Sequence, residues 1–209
     1  MASTKKLIGG FKRFQQQYFG DDRRLYASMK EGQPVKTLMI ACCDSRVDPA
    51  ILMDCDPEDL FIVRNVANLV PPWESVGHYH GTSAALEFAD NHLQVENIIV
   101  MGHANCGGIQ AFWHDDGTTA SQFIHPWVSI AKGAKDKVKV SHAEHETAEQ
   151  LTACEQAAIL VSLDNLLSFA CIKERVEQGN LSLHGWYFDV RIGELFSYHP
   201  ERDQFLAVA

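Results

Sequence analysis

Asn97-Ile98-Ile99-Val100-Met101-Gly102-His103-Ala104-Asn105-Cys106-Gly107-Gly108 is the stretch from which the fold can be read. Ile98 to Met101 is a continuous apolar run, with none of the polar alternation of a half-exposed strand. That is the pattern of a strand covered on both faces. Thr37 to Ala41 and Phe61-Ile62-Val63 repeat it. Between the second and third runs, residues 81–93 carry Ala84, Leu86, Phe88, Ala89 and Leu93 at helical spacing. Strand, helix, strand is a parallel crossover unit. In open parallel sheets ligands bind beyond the carboxyl ends of the strands. The segments after the first and third runs, residues 41–46 and 101–108, are therefore where a site is expected.

Working outward, residues 121–132 and 142–169 read as helices, and residues 181–190 with 194–198 read as a strand hairpin around Ile192-Gly193. Leu7, Ile8, Phe11, Phe14 and Phe19 lie near helical spacing at the amino end, which predicts an amphipathic helical arm. Such an arm packs on its own core or reaches across a neighbouring subunit. No repeat, low-complexity linker or composition break divides the chain. The expected fold class is α/β: a mainly parallel central sheet with helices on both faces. Residues 1–209 form a single domain, with the arm over 1–32 and the core over 33–209.

The 209 residues include 27 acidic and 18 basic ones, a formal net charge of -9, and no Lys/Arg cluster stands out. Such a chain repels phosphate backbones, so no nucleic-acid partner is expected. No apolar run approaches the ~20 residues of a membrane helix, and the amino end lacks the pattern of a secretory leader. No membrane partner is expected either. The six cysteines show no regular pairing, which fits a reducing, cytoplasmic setting and turns attention to metal or thiol chemistry.

His103 and Cys106 are three residues apart, close enough to bind one metal from a single loop, and Cys42 can supply a third ligand from a neighbouring strand end. Two thiolates and an imidazole suit zinc, and three protein ligands leave a fourth position open, as in catalytic sites. A buried cysteine is more often only a small apolar residue, so the pair alone is weak evidence. Its surroundings strengthen it. In an extended segment Asp44 and Arg46 point to the same side and can pair. Such pairs are usually inconsequential on a surface, but this one follows Cys42 by two residues. Gly107-Gly108 allows close backbone approach and opens a helix, although such a pair alone is only a turn.

Cys42-x-Asp44-Ser45-Arg46 followed by His103-x-x-Cys106-Gly107-Gly108 resembles the signature of the β-class carbonic anhydrases. The similarity continues through Arg64-Asn65-Val66-Ala67-Asn68-Leu69-Val70-Pro71-Pro72 and ends near Leu183-His184-Gly185-Trp186. The resemblance implies zinc held by Cys42, His103 and Cys106, a catalytic dyad of Asp44 and Arg46, and reversible hydration of carbon dioxide to bicarbonate and a proton. It also implies substrate-pocket roles for Gln33, Phe61, Val66 and the Gly107 amide, with Gln33 acting on the adjoining subunit. An obligate homodimer follows from that sharing, and tetramers and octamers are common in the family. In an inactive closed form of some members, the residue matching Asp44 itself binds zinc.

Members with an allosteric bicarbonate pocket carry a Trp and a Gly where this chain has Met39 and Ala41, and a Tyr where it has Phe188, although Arg64 is retained. The chain is thus similar to the open, plant-like type. It departs from that type at Phe88, where a Tyr is expected. The alternative on the same scaffold is a carbonyl sulfide or carbon disulfide hydrolase. A structural or redox zinc protein would need a fourth Cys or His, which neither loop has, and a zinc alcohol dehydrogenase would need a G-x-G-x-x-G loop.

Overall fold

The computed structural model describes residues 4–20, 35–75, 80–115 and 121–208. It divides into two units, Met1–Pro34 and Val35–Ala209, a boundary two residues beyond the one expected for the arm. In the first unit, helix α1 (Thr4–Phe19) has no buried residue. Its aromatic side chains meet one another, Phe14 tilted against Tyr18 with ring centroids 5.0 Å apart.

The second unit is built on a six-stranded sheet. In chain order it contains β1 (Thr37–Cys42), the short helix α2 (Pro49–Leu52), β2 (Phe61–Asn65) and α3 (Gly81–Phe88), which runs into a single π-turn over Ala89–Leu93. Then come β3 (Asn97–His103), α4 (Gly107–His114), α5 (Ile124–Val128), α6 (Lys132–Ser141), α7 (Thr147–Leu166), α8 (Ala170–Glu177), β4 (Ser182–Asp189), β5 (Glu194–His199) and β6 (Gln204–Ala207). The strand order is β2-β1-β3-β4-β5-β6. The first four are parallel, and β5 and β6 continue antiparallel.

The three apolar runs all form strands; β1 and β3 are buried from their second residue onward, whereas β2 is an edge strand of the sheet with no fully buried residue, so its run is not covered on both faces as expected. Strand β6 was not expected: its four residues, Gln204–Ala207, are too few to show a period. The segment expected as one helix over 121–132 instead passes through α5 and a 3₁₀ turn into α6, reaching Ser141.

Alternating side chains of β1 and β3 serve two clusters. Leu38, Ile40, Ile98 and Val100 face the main core with Leu86, Ile159, Leu166 and Ile172 from the helices. Met39, Ala41, Ile99 and Met101 face the other way. There they meet Leu52, Met53, Leu60, Trp186 and Leu195, so the helices divide unequally between the two faces. Helix α7 lies very close to the sheet. A Cβ built on Gly102 would stand 2.8 Å from Ile159 Cδ1 and 2.9 Å from its Cγ1. The glycine is thus required by the approach of the helix, immediately before His103. Gly102→Ala is expected to cost about 1–3 kcal/mol by overpacking. It should lower the urea midpoint with an unchanged slope, and Ile159→Val should restore part of the loss; an unchanged midpoint would refute this packing account.

Candidate metal centre

Strand β1 ends at Cys42 and strand β3 at His103, and these strands are neighbours with Ala41 opposite Met101. The chain turns after His103 with Asn105 in the left-handed region (φ 57°), which Asn tolerates better than most residues. That turn brings Cys106 back to the N-cap of α4. Cys42 Sγ and Cys106 Sγ are 3.9 Å apart. One donor atom from each of Cys42, His103 and Cys106 falls within 4.8 Å of the others, and all three residues are buried.

The protonation pattern of this group suits a cation. His103 Nδ1 lies 2.9 Å from the Ala104 carbonyl oxygen, which assigns its proton to Nδ1 and leaves a lone pair on Nε2. That Nε2 is the one buried side-chain nitrogen or oxygen among the described residues with no hydrogen-bond partner. The Cys42 thiol is lowered by hydrogen bonding with Cys106, against burial, with further help from His103 and the Asp44 amide. Cys106 is raised by hydrogen bonding with Cys42, by burial and by the charge of Cys42, while the Ile109 and Gly108 amides oppose this. One thiolate therefore forms readily and hinders the second. A divalent cation would remove that conflict, so the donor set fits zinc.

Asp44 and Arg46 do pair, but in a turn and not in the extended segment expected. Asp44 Oδ1 accepts from both the backbone N–H and Nε of Arg46, each at 2.9 Å, and Oδ2 accepts from Nη2 at 2.7 Å. The short Asp side chain captures the amide two residues on, and this closes the turn. Arg46, chiefly through its side-chain hydrogen bonds, holds the Asp44 carboxyl well below the usual carboxylate range. Both Asp44 oxygens are engaged by Arg46.

Gly107 and Val66 border this group. Gly107 begins α4. A Cβ on Gly108 would lie 2.8 Å from Val66 Cγ1 and 3.0 Å from Ala67 Cβ, so the second glycine is required for the helix to approach the Val66–Asn68 turn. That turn holds Ala67 and Asn68 at positive φ (62° and 49°), and the indole of Trp127 donates to the Val66 carbonyl at 2.7 Å. Phe61 stands apart from this group. It begins β2, four positions before Asn65, the register partner of Cys42. That is about 13 Å along a strand. It packs against the core and the Phe88 ring, 5.8 Å between centroids, so it does not line the site of its own chain. Gln33 lies outside the described residues.

Three contributors escaped the sequence reading. Arg64, expected only as a remnant of a bicarbonate pocket, donates to the Cys42 and Asp44 carbonyls at 2.9 and 2.6 Å and pairs with Asp48 at 2.6 Å. Met39 and Ala41 are fully packed in the apolar cluster beside it. Buried Glu155 accepts from the Cys106 amide at 3.0 Å and from the Tyr187 hydroxyl at 2.8 Å. A sequence signal did exist for Glu155: a carboxylate in register with Leu151, Ala158, Ile159 and Ser162 on a helix otherwise suited to burial.

A carbonic anhydrase family model matches residues 37–195. Beta carbonic anhydrase 5, chloroplastic, of Arabidopsis thaliana is 46% identical over 181 residues, covering 86% of this chain and 59% of that protein. The chain thus spans about three fifths of that relative's length. Beta carbonic anhydrase 3 of Arabidopsis thaliana is 37% identical over 190 residues, covering 90% of this chain and 73% of that protein. The solved structure of the β-carbonic anhydrase CcaA superposes with a TM-score of 0.92 at 30% identity, covering 99% of this chain and 100% of that one.

The Asp44 carboxyl is depressed in the folded state. Its pairing therefore contributes stability that is full above the unfolded pKa of about 3.9 and lost as pH falls through the folded value. The unfolding midpoint of wild type should exceed that of Arg46→Ala at pH 6, and the gap should shrink toward pH 3. A pH-independent gap would contradict this assignment.

Proposed function

The chain belongs to the β class of the carbonic anhydrase family, and on that footing we propose that it is a zinc enzyme for the reversible hydration of carbon dioxide to bicarbonate and a proton. One observation carries the reading: a buried, three-donor, cation-ready group stands at the carboxyl ends of two parallel strands, with an ionised Asp44–Arg46 pair in the turn that follows one ligand.

Cys42 Sγ, His103 Nε2 and Cys106 Sγ would hold the ion. Zinc held there would supply a Lewis acid that makes hydroxide available from water near neutral pH. Two thiolates give the ion more charge than three imidazoles would, so the pKa of that water is expected somewhat above ~7 and activity should rise with pH.

Asp44, ionised while Arg46 holds it, has only acceptor oxygens. It accepts a hydrogen bond from the attacking O–H, which turns an oxygen lone pair toward the substrate carbon. Arg46 Nη2 also donates to the Asn105 carbonyl at 3.1 Å, so the same guanidinium orients Asp44 and the loop that carries two of the ligands. Val66 supplies an apolar wall for an uncharged substrate, and the Gly107 amide, at the helix start, is placed to donate to a bicarbonate oxygen. Phe61 and Gln33 serve the site of a second copy, which makes the homodimer the smallest working unit; tetramers and octamers are larger versions of it. A reducing, cytoplasmic setting is the one we propose, because both ligand thiols must stay reduced.

Metal analysis should find one zinc per chain, and Cys106→Ser should reduce it to near zero. Stopped-flow hydration from about pH 6.5 to 9 should rise with pH. Asp44→Asn should keep the zinc and lose at least about 10- to 100-fold in hydration. Sulfide release from carbonyl sulfide with negligible carbon dioxide hydration would overturn the choice of substrate. Full activity in Asp44→Asn would overturn the role of the dyad.

A further inference from the structure

Glu155 is 4% exposed on α7, and Tyr187 on β4 is 1% exposed. The reaction described above uses neither. A buried carboxylate is costly unless its oxygens are hydrogen-bonded, and no ion pair to Glu155 is formed among the described residues. Its two oxygens are instead shared between a neutral hydroxyl and one peptide: Oε2 accepts from Tyr187 and Oε1 from the Cys106 N–H.

That peptide is the informative feature. The Cys106 N–H and the Asn105 C=O belong to the same planar unit and point in opposite directions. Arg46 Nη2 donates to the Asn105 oxygen, and Glu155 accepts from the Cys106 nitrogen. The peptide joining a left-handed Asn105 to the ligand Cys106 is thus held at both ends, by the guanidinium from the mouth of the site and by the carboxylate from the core. A capping box uses a third-position Glu to take the N-cap amide of its own helix. Here the N-cap residue of α4 has its amide taken by a carboxylate 49 positions away on another helix.

Resting on the metal-centre reading above, we propose that Glu155, oriented by Tyr187, is a positioning residue that fixes the Asn105–Cys106 peptide against Arg46 and so aims the Cys106 thiolate at the metal. The role belongs to the hydrogen bond: a Gln side chain can accept from Cys106 with its oxygen and donate to Tyr187 with its nitrogen.

The test uses full-length apo-protein of wild type, Glu155→Gln, Glu155→Ala and Tyr187→Phe. Zinc affinity is measured by chelator competition, thiolate-to-metal absorption by cobalt substitution, and cooperative unfolding by circular dichroism. Glu155→Ala should bind zinc about 10- to 100-fold more weakly, with an altered cobalt spectrum, as loss of a partner behind a metal ligand generally does. Glu155→Gln should recover wild-type affinity to within about threefold, and Tyr187→Phe should fall between the two. Wild-type affinity in Glu155→Ala overturns the proposal, as does a Glu155→Gln as weak as Glu155→Ala. Should Glu155→Ala fail to fold, Tyr187→Phe decides, and unchanged zinc binding and cobalt spectrum there overturn the proposal. Zinc binding by wild type without carbon dioxide hydration would refute the proposed reaction and leave this ordering decisive. No zinc binding by wild type would overturn both.

Discussion

Cys42 and His103 stand side by side because β1 and β3 pair in parallel, with Ala41 opposite Met101. Parallel pairing ends both strands at the same edge of the sheet, so two residues some sixty positions apart in the chain share one small volume without either being on a long loop. The apolar runs that build these strands hold the edge rigidly. Everything chemical in the molecule hangs from that edge: the turn after Cys42 carries Asp44 and Arg46, and the turn after His103 returns Cys106. Close packing against α7, made possible by the missing side chain at Gly102, holds β3 in place just before His103.

Above the sheet edge, the site is organised by side chains that bond to backbone. Arg64 holds the Cys42 and Asp44 carbonyls, Arg46 holds that of Asn105, and Glu155 holds the Cys106 amide. A loop whose peptides are gripped in this way keeps its ligands within reach of a metal's narrow distance limits, which packing alone does not do. The guanidinium groups of Arg46 and Arg64 pair with carboxylates, while the Glu155 carboxylate takes its hydrogen bonds from a peptide N–H and a hydroxyl.

The hydrophobic runs announced the parallel strands and their site-bearing ends, because burial on both faces leaves a mark on consecutive residues. The grouping of donor side chains was legible for a related reason: His103 and Cys106 share one turn, and Cys42 with Asp44 and Arg46 shares another, so local spacing carried it. Legibility failed where a contact spans the chain. Nothing near Phe61 in sequence says that the start of β2 lies a strand's length from Cys42, and nothing near Arg64 says that its fork will meet the carbonyls of Cys42, at the end of β1, and of Asp44, in the turn beyond it. The four-residue β6 failed for lack of length.

By itself, the sequence of this protein determined the α/β class, the strands that carry the site, the His103–Cys106 spacing and the Asp44–Arg46 pair, because each depends on residues a few positions apart and on runs of burial. Only the tertiary structure decided that the pair closes in a turn with both carboxylate oxygens on Arg46, that Phe61 lies away from its own chain's site, and that Glu155 and Tyr187 stand behind Cys106. Those outcomes depend on which distant backbone groups need a partner once the core has closed, and a linear sequence does not display that demand.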